Sequence, residues 1–158
     1  MAPSCPKSPS KIPNQIMATN PKNLAEIADL EIRDGLNGLT PARIITLYRR
    51  APLLRPVSDP KRVWEMFEKA SLVLTAWHEG ELVGIARVMT DGVLFSYLCD
   101  LAVEPDVQRL GVGKTLISAV EERCKGTELL LRDSDISSGY YAYLGFNSVE
   151  NAWIKKIR

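Results

Sequence analysis

The chain has 158 residues, 46% hydrophobic and 25% charged, the make-up of one globular domain rather than a disordered or membrane-embedded polypeptide. Twenty basic residues against nineteen acidic ones leave a net charge of +1, no field to hold a phosphate backbone, which argues against nucleic acid as a partner. Apolar runs as short as residues 129–131 cannot span a bilayer, and three scattered cysteines with a single histidine argue against a disulfide framework or a metal site.

Residues 1–22 stand apart. They hold Pro3, Pro6, Pro9, Pro13 and Pro21 with several serines, and the first acidic residue of the chain is Glu26. Such a stretch has too little apolar surface to offset its ordering entropy, and it is expected to be a flexible tail before a single domain over residues 23–158. It has no run of signal-peptide length; an acid-poor, serine-containing leader leaves organelle targeting open, but its lack of arginine and the reduced cysteines favour a cytoplasmic location.

From Ile27 a period-two pattern (Ala28, Leu30, Ile32) predicts a half-buried strand. Thr40-Pro41 reads as an N-cap with proline at the first helical position, and Ile44, Leu47, Tyr48 and Ala51 form the apolar stripe that follows. Ser58-Asp59-Pro60 opens a second helix with Val63, Met66, Phe67 and Ala70 facing inward. Three strands are expected over residues 72–77, 82–89 and 94–103, joined by turns at Glu79-Gly80 and Asp91-Gly92. The lone histidine, His78, falls at the first of these turns and reads as a solvated side chain. Gly113, Ile117, Val120 and Cys124 mark one face of a helix, residues 128–131 a buried-type strand, residues 137–144 a short helix, and residues 146–157 a closing strand. The predicted order, β-α-α-β-β-β-α-β-α-β, is an α/β domain on a mixed sheet.

The most informative segment runs from Asp100 to Thr115, where a strand passes through a loop into glycines at the start of a helix. A helix start leaves backbone N–H groups unpaired and carries partial positive charge, so glycines there let phosphates approach closely. Gly113-Lys114-Thr115 mimics the tail of a P-loop, but Gln108 occupies the position that needs the first glycine. A dinucleotide fingerprint fails as well, because Leu116 takes its third glycine.

Gln108-Arg109-Leu110-Gly111-Val112-Gly113 instead resembles the Q/R-x-x-G-x-G/A motif of the GNAT superfamily of N-acetyltransferases. Tyr140-Tyr141-Ala142-Tyr143-Leu144-Gly145-Phe146 resembles that superfamily's second signature, F-Y-x-x-x-G-F, with Tyr140 in place of phenylalanine. The resemblance covers roughly residues 27–158 and implies the acyl-CoA N-acyltransferase fold, a mixed central sheet flanked by helices. It implies acetyl-CoA as co-substrate and no metal, with the cofactor held by Gln108, Arg109, Leu110, Gly111, Val112, Gly113 and Lys114 at the pyrophosphate. The free strand edge of Leu101, Ala102 and Val103 would hold the pantetheine. Family members often place an asparagine on the loop before the second motif; here Asp135 stands there, so Ser134 or Ser137 is expected to take over that cofactor contact.

By the same resemblance Tyr141 would protonate the departing CoA thiolate, after direct attack of an amine in a ternary complex. An alkylamine is mostly protonated at neutral pH, so its proton needs a receiver. Asp100, one residue before the pantetheine segment, is the leading candidate base and Glu104 the second; Asp100 reads equally as a structural carboxylate paired with Arg87 on the neighbouring strand. The expected acceptor is a small primary amine with an aromatic or apolar body. Tyr48, Leu53, Leu54, Trp64, Phe67 and Trp153 fall in the regions that build the family's acceptor site, and residues 51–56 read as a pocket lip. Residues 82–87 and 100–103 also share the shape of strands in arylalkylamine acetyltransferases, a shape that recurs across the superfamily. Arg49, Arg50 and Arg55 pull the other way, toward an acceptor that carries a carboxylate or phosphate. A protein lysine or N-terminal acetyltransferase and a non-catalytic CoA-binding module are the alternatives, and a homodimer is left open.

Overall fold

The computed structural model describes residues 27–51, 53–134 and 139–157. The predicted tail, residues 1–22, lies outside them, as do Asp135 and Ser137. The elements are β1 (Glu31–Asp34), α1 (Pro41–Arg50), α2 (Pro60–Glu68), β2 (Leu72–His78), β3 (Glu81–Thr90), β4 (Phe95–Val103), a 3₁₀ turn (Pro105–Val107), α3 (Val112–Arg123), β5 (Glu128–Leu131) and α4 (Tyr140–Tyr143).

Local chemistry sets most of the boundaries. Thr40 Oγ1 accepts from the Arg43 amide (3.2 Å) and Asp59 Oδ1 from the Arg62 amide (3.1 Å), so each cap satisfies an orphan donor ahead of a proline already shaped for a helix. Glu79 and Gly80 both take positive φ (50° and 80°), which matches the twist of the β2–β3 hairpin. At the next hairpin Asp91 Oδ1 accepts from the amides of Val93, Leu94 and Phe95 at 2.8–3.0 Å, and β4 therefore begins at Phe95, one residue later than expected.

The sheet order is β1-β2-β3-β4-β5, antiparallel except for the parallel β4–β5 pair. Helices α1 and α2 cover one face through Ile44, Leu47, Tyr48, Val63 and Phe67, packed on Val73, Ile85 and Ala102. Helix α3 covers the other through Val112, Leu116, Ile117 and Val120, packed on Leu74, Ala76, Ala86 and Val88. A Cβ on Gly84 would lie 2.8 Å from Leu116 Cδ1, so this glycine lets α3 press directly on β3. The result is the mixed α/β sheet flanked by helices that the sequence predicts.

Three sequence expectations are corrected. The first strand starts at Glu31, because Asp29 sits at φ 58° and turns the chain; Ile27 and Leu30 pack on the α3-side core from outside the sheet. Within the described residues the last helix spans only Tyr140–Tyr143, since Gly139 at φ 84° is its N-cap. Residues 146–157 form no strand. Val149, Trp153 and Ile157 would share one face of a strand, but Asn151 and Lys155 interrupt that face, and Val149, Trp153, Ile154 and Ile157 are all exposed.

Candidate active site

The site grows from a place where two parallel strands part. β4 and β5 pair from Phe95↔Glu128 to Leu98↔Leu131, and no further. At the same point β4 carries a bulge against β3: Arg87 faces Asp100 and Val88 faces Leu98, so Cys99 has no partner. Beyond it, β4 continues to Val103 with one edge on β3 and the other free of any described strand. The Glu104 amide donates to Val83 O (2.8 Å) toward β3; amides alternate along a strand, so those of Leu101 and Val103 point to the free edge. The Val103 carbonyl, on that edge, accepts from Gln108 Nε2 at 3.1 Å. Gln108 thus ties the following loop to the strand. Leu101 packs toward α3 and Ala102 is buried toward α1 and α2.

This strand leads into a turn whose backbone is unusually open. Arg109 (φ 66°) and Gly111 (φ 88°) both take left-handed conformations. The amides of Arg109, Gly111, Val112, Gly113 and Lys114 make no hydrogen bond to any described residue, and the first helical bond of this turn comes from Thr115 to Gly111 O at 2.9 Å. Unpaired amides at a helix start form an anion-binding concavity. Of the side chains here, Val112 is buried in the core, Leu110 half-buried, and Arg109 and Lys114 exposed. The two glycines serve different ends. Gly111 supplies the left-handed turn in open space, whereas a Cβ on Gly113 would lie 2.7 Å from Tyr140 Oη and 3.6 Å from Val103 Cγ2.

Helix α4 therefore closes over the first turn of α3. Tyr141 packs edge-on against Tyr140 (5.4 Å between ring centres) and Phe146 (5.7 Å), with the α3-side core beneath. Burial first, then the Asp133 carboxylate and Tyr140, push the Tyr141 hydroxyl up to about 12, so it remains a neutral donor at any physiological pH. The Ser134 amide donates to Asp133 Oδ1 (2.7 Å) in the exposed loop after β5.

Asp100 is fully buried, its side chain 0% exposed. Oδ1 accepts from Arg55 Nε (2.5 Å), and Oδ2 accepts from Arg87 Nε (2.5 Å) and from the Tyr48 hydroxyl (2.9 Å). Burial, followed by the Asp100 charge, holds the Tyr48 hydroxyl well above its ordinary range. For Arg87, the Asp100 hydrogen bond and charge outweigh a larger single burial penalty and raise its pKa further. Glu104 Oε1 lies 2.5 Å from Arg50 Nε, close but not aligned as a hydrogen bond, and Arg50 also reaches Asp106 at 2.8 Å. The sequence had Arg50 and Arg55 facing the acceptor; both are spent on carboxylates of the protein itself. Arg55 and the hydroxyl of Tyr48 are the parts of this site that sequence reasoning missed. The signal was indirect, since a carboxylate placed on a core strand requires buried donors from somewhere. His78 ends β2 half-buried, and its buried Nδ1 has no hydrogen-bond partner among the described residues, so it is not the solvated side chain expected.

Among the described residues no three His, Cys, Asp or Glu side chains cluster as a metal site, and no helix is long and apolar enough to cross a membrane. Residues 52–156 match the family model described as an acetyltransferase (GNAT) domain. An acetyltransferase of Pectobacterium atrosepticum, ECA0875, is 34% identical over 115 residues, 68% of this chain and 81% of that protein. The GNAT family acetyltransferase SP0256 of Streptococcus pneumoniae superposes with a TM-score of 0.64 at 19% identity, over 81% of this chain and 99% of its own. The aminoglycoside N-acetyltransferase AAC(6')-Iy, solved with CoA, superposes with a TM-score of 0.61 at 21% identity, over 82% of this chain and 95% of its own. The family match covers more than half of the chain and takes in both the open edge of β4 and the glycine-opened start of α3, and the chain belongs to the GNAT family of acetyl-CoA-dependent acetyltransferases.

Proposed function

We propose that the protein transfers the acetyl group of acetyl-CoA to the primary amine of a small molecule, by direct attack in a ternary complex. One observation carries this reading: the free edge of β4 leads, through the 3₁₀ turn, to the unpaired amides at the start of α3. Together they offer an extended polar track of donors, an added-strand partner for pantetheine and a cradle for pyrophosphate.

In this mechanism the amine lone pair attacks the thioester carbon. The oxyanion that forms is held by a free-edge amide, that of Leu101 or Val103. The nitrogen gives up its extra proton to solvent, collapse breaks the C–S bond, and the sulfur leaves with the electron pair and takes a proton from the Tyr141 hydroxyl, which regains one from solvent. With a pKa of about 12, Tyr141 is a weaker acid than an ordinary thiol, so full transfer is uphill unless burial raises the thiolate as well. Its contribution is strongest as a hydrogen bond that tightens while the negative charge develops. Of the two roles open to Asp100, the ring of Arg55, Arg87 and Tyr48 supports the structural one, because both of its oxygens are already occupied and no surface is left for a substrate proton. We assign removal of the ammonium proton to solvent.

For the acceptor, pairing of Arg50 and Arg55 with carboxylates of the protein leaves Arg49, exposed at the end of α1, as the one arginine of the three that has no such carboxylate among the described residues. Leu54 is 95% exposed on the loop after α1, and Met89, Phe95, Tyr97 and Leu130 line an apolar depression along β3, β4 and β5. These surfaces support an acceptor with an apolar body. AAC(6')-Iy, by its name, acts on aminoglycosides, so this fold does serve amines of small-molecule size. Turnover of compact apolar amines above polyamines and lysine peptides, read as free thiol release at equal concentrations, tests the reading; the reverse order rejects it.

A further inference from the structure

We propose that Arg55 is a positioning residue that sets the shape of the thioester-binding strand from the acceptor side of the molecule. The inference rests on the acetyltransferase reading and goes beyond it.

Cys99 is the bulge residue of β4, and the bulge falls where β5 leaves the sheet, so its geometry decides where the free-edge amides of Leu101 and Val103 stand. A bulged residue loses its ladder partner, and its carbonyl needs another donor. Arg55 provides it: Nη2 donates to Cys99 O at 2.6 Å, while Nε donates to Asp100 Oδ1 at 2.5 Å. One planar guanidinium therefore grips two successive residues of β4, main chain on one and carboxylate on the other. Its third nitrogen, Nη1, donates to Leu54 O at 2.8 Å, so the same side chain also fixes the loop that carries it. Arg87 and Tyr48 reach Oδ2 from β3 and α1 and hold the carboxylate in place, but neither donates to the Cys99 carbonyl. Arg55, at 29% side-chain exposure, is the most exposed member of this cluster and the one that comes from the loop beside the proposed acceptor surface. Loop and bulge thus move as one unit, and the acyl-binding amides are set by a contact outside the cofactor site.

Lysine separates this role from mere charge balance. In Arg55→Lys the ammonium keeps the charge beside Asp100, but a point donor does not reproduce the fork that also reaches Cys99 O. The expected result is hydrogen exchange about tenfold faster than in the wild type at the Asp100 and Ala102 amides, which face β3, with acetyl-CoA affinity about tenfold weaker, kcat lowered, and a melting temperature within a few degrees. Arg55→Gln, which removes the charge and the fork together, should show the same exchange and affinity changes with a larger loss of melting temperature, and it serves if the lysine variant does not fold. Wild-type exchange and wild-type acetyl-CoA affinity in either folded variant overturn the assignment. A wild-type protein that binds no acetyl-CoA overturns the functional reading instead, a result the ligand-free exchange comparison does not depend on.

Discussion

The two glycines at the start of α3 give a prediction in which stability and affinity separate. Gly113 has an ordinary φ, so alanine there is compatible with the helix and should add up to about 1 kcal/mol through lost unfolded-state freedom. Its Cβ would meet Tyr140 Oη at 2.7 Å, the far end of a side chain that swings away at little cost. Moving Tyr140 disturbs its edge contact with Tyr141 and crowds the Gly113 amide that a phosphate should reach. Losing one amide bond to a charged oxygen costs about 1.5–3 kcal/mol, roughly a ten- to hundredfold rise in Kd. Gly111→Ala has the opposite signature. Nothing lies within 4 Å of its Cβ position, but φ is 88°, so alanine costs about 1–2 kcal/mol of backbone strain. Calorimetric titration with acetyl-CoA, alongside thermal unfolding, reads both quantities. Gly113→Ala should melt at or slightly above the wild type and bind at least tenfold more weakly, while Gly111→Ala should melt several degrees lower. Unchanged affinity in Gly113→Ala would falsify the assignment of this helix start as the pyrophosphate site.

Other consequences are as direct. Tyr141→Phe should lower kcat by about a hundredfold or more with little change in acetyl-CoA affinity, and wild-type turnover would return Tyr141 to a packing role. Because the folded state raises Tyr141 to about 12, the stability gained by burying its neutral form is full below the unfolded value near 10 and is lost as pH rises toward 12. The alkaline fall in melting temperature should therefore be shallower in Tyr141→Phe, and identical slopes in the two proteins would contradict the shift. Asp100→Asn leaves two guanidiniums facing a neutral amide and should cost about 3 kcal/mol or more, with the pH–rate profile unmoved. A displaced limb of that profile would make Asp100 the base after all. Deleting residues 1–22 should change neither the melting temperature nor acetyl-CoA affinity, and a fall of many degrees would show that the segment docks on the domain.

What the sequence made legible was local. Thr40-Pro41, Asp59-Pro60, Glu79-Gly80 and Asp91-Gly92 each carry their own hydrogen-bond or dihedral chemistry, and the elements begin and turn there as expected. The open helix start was readable for the same reason, since Gly111 and the helix it begins lie within a few residues of one another. What depends on distant partners was not readable. Tyr48 fits a helical apolar stripe, and only the tertiary fold sets its hydroxyl on Asp100, 52 residues away. Arg55 reads in the sequence as a charge facing the acceptor, and only the fold shows that the bulge at Cys99 gives its guanidinium a carbonyl to bind. Gly113 was read as open space for phosphate, whereas the structure also fills that space from α4 with the Tyr140 hydroxyl. The closing strand expected over residues 146–157 shows the opposite error, in which apolar residues were given a sheet to join although Asn151 and Lys155 break the face that Val149, Trp153 and Ile157 would share.

The central claim is acetyl transfer from acetyl-CoA to a small amine, and the most direct measurement follows both products at once. The protein is incubated with acetyl-CoA and, in separate reactions, tryptamine-like amines, amino acids, polyamines and lysine peptides. Free thiol is read by colour and the acetylated acceptor by mass spectrometry. The account predicts thiol release in a one-to-one ratio with an N-acetylated compact apolar amine, faster than with any peptide and strongly reduced in Tyr141→Phe. Protein that binds acetyl-CoA yet acetylates nothing in any class, or that releases thiol equally well without an acceptor, would contradict it.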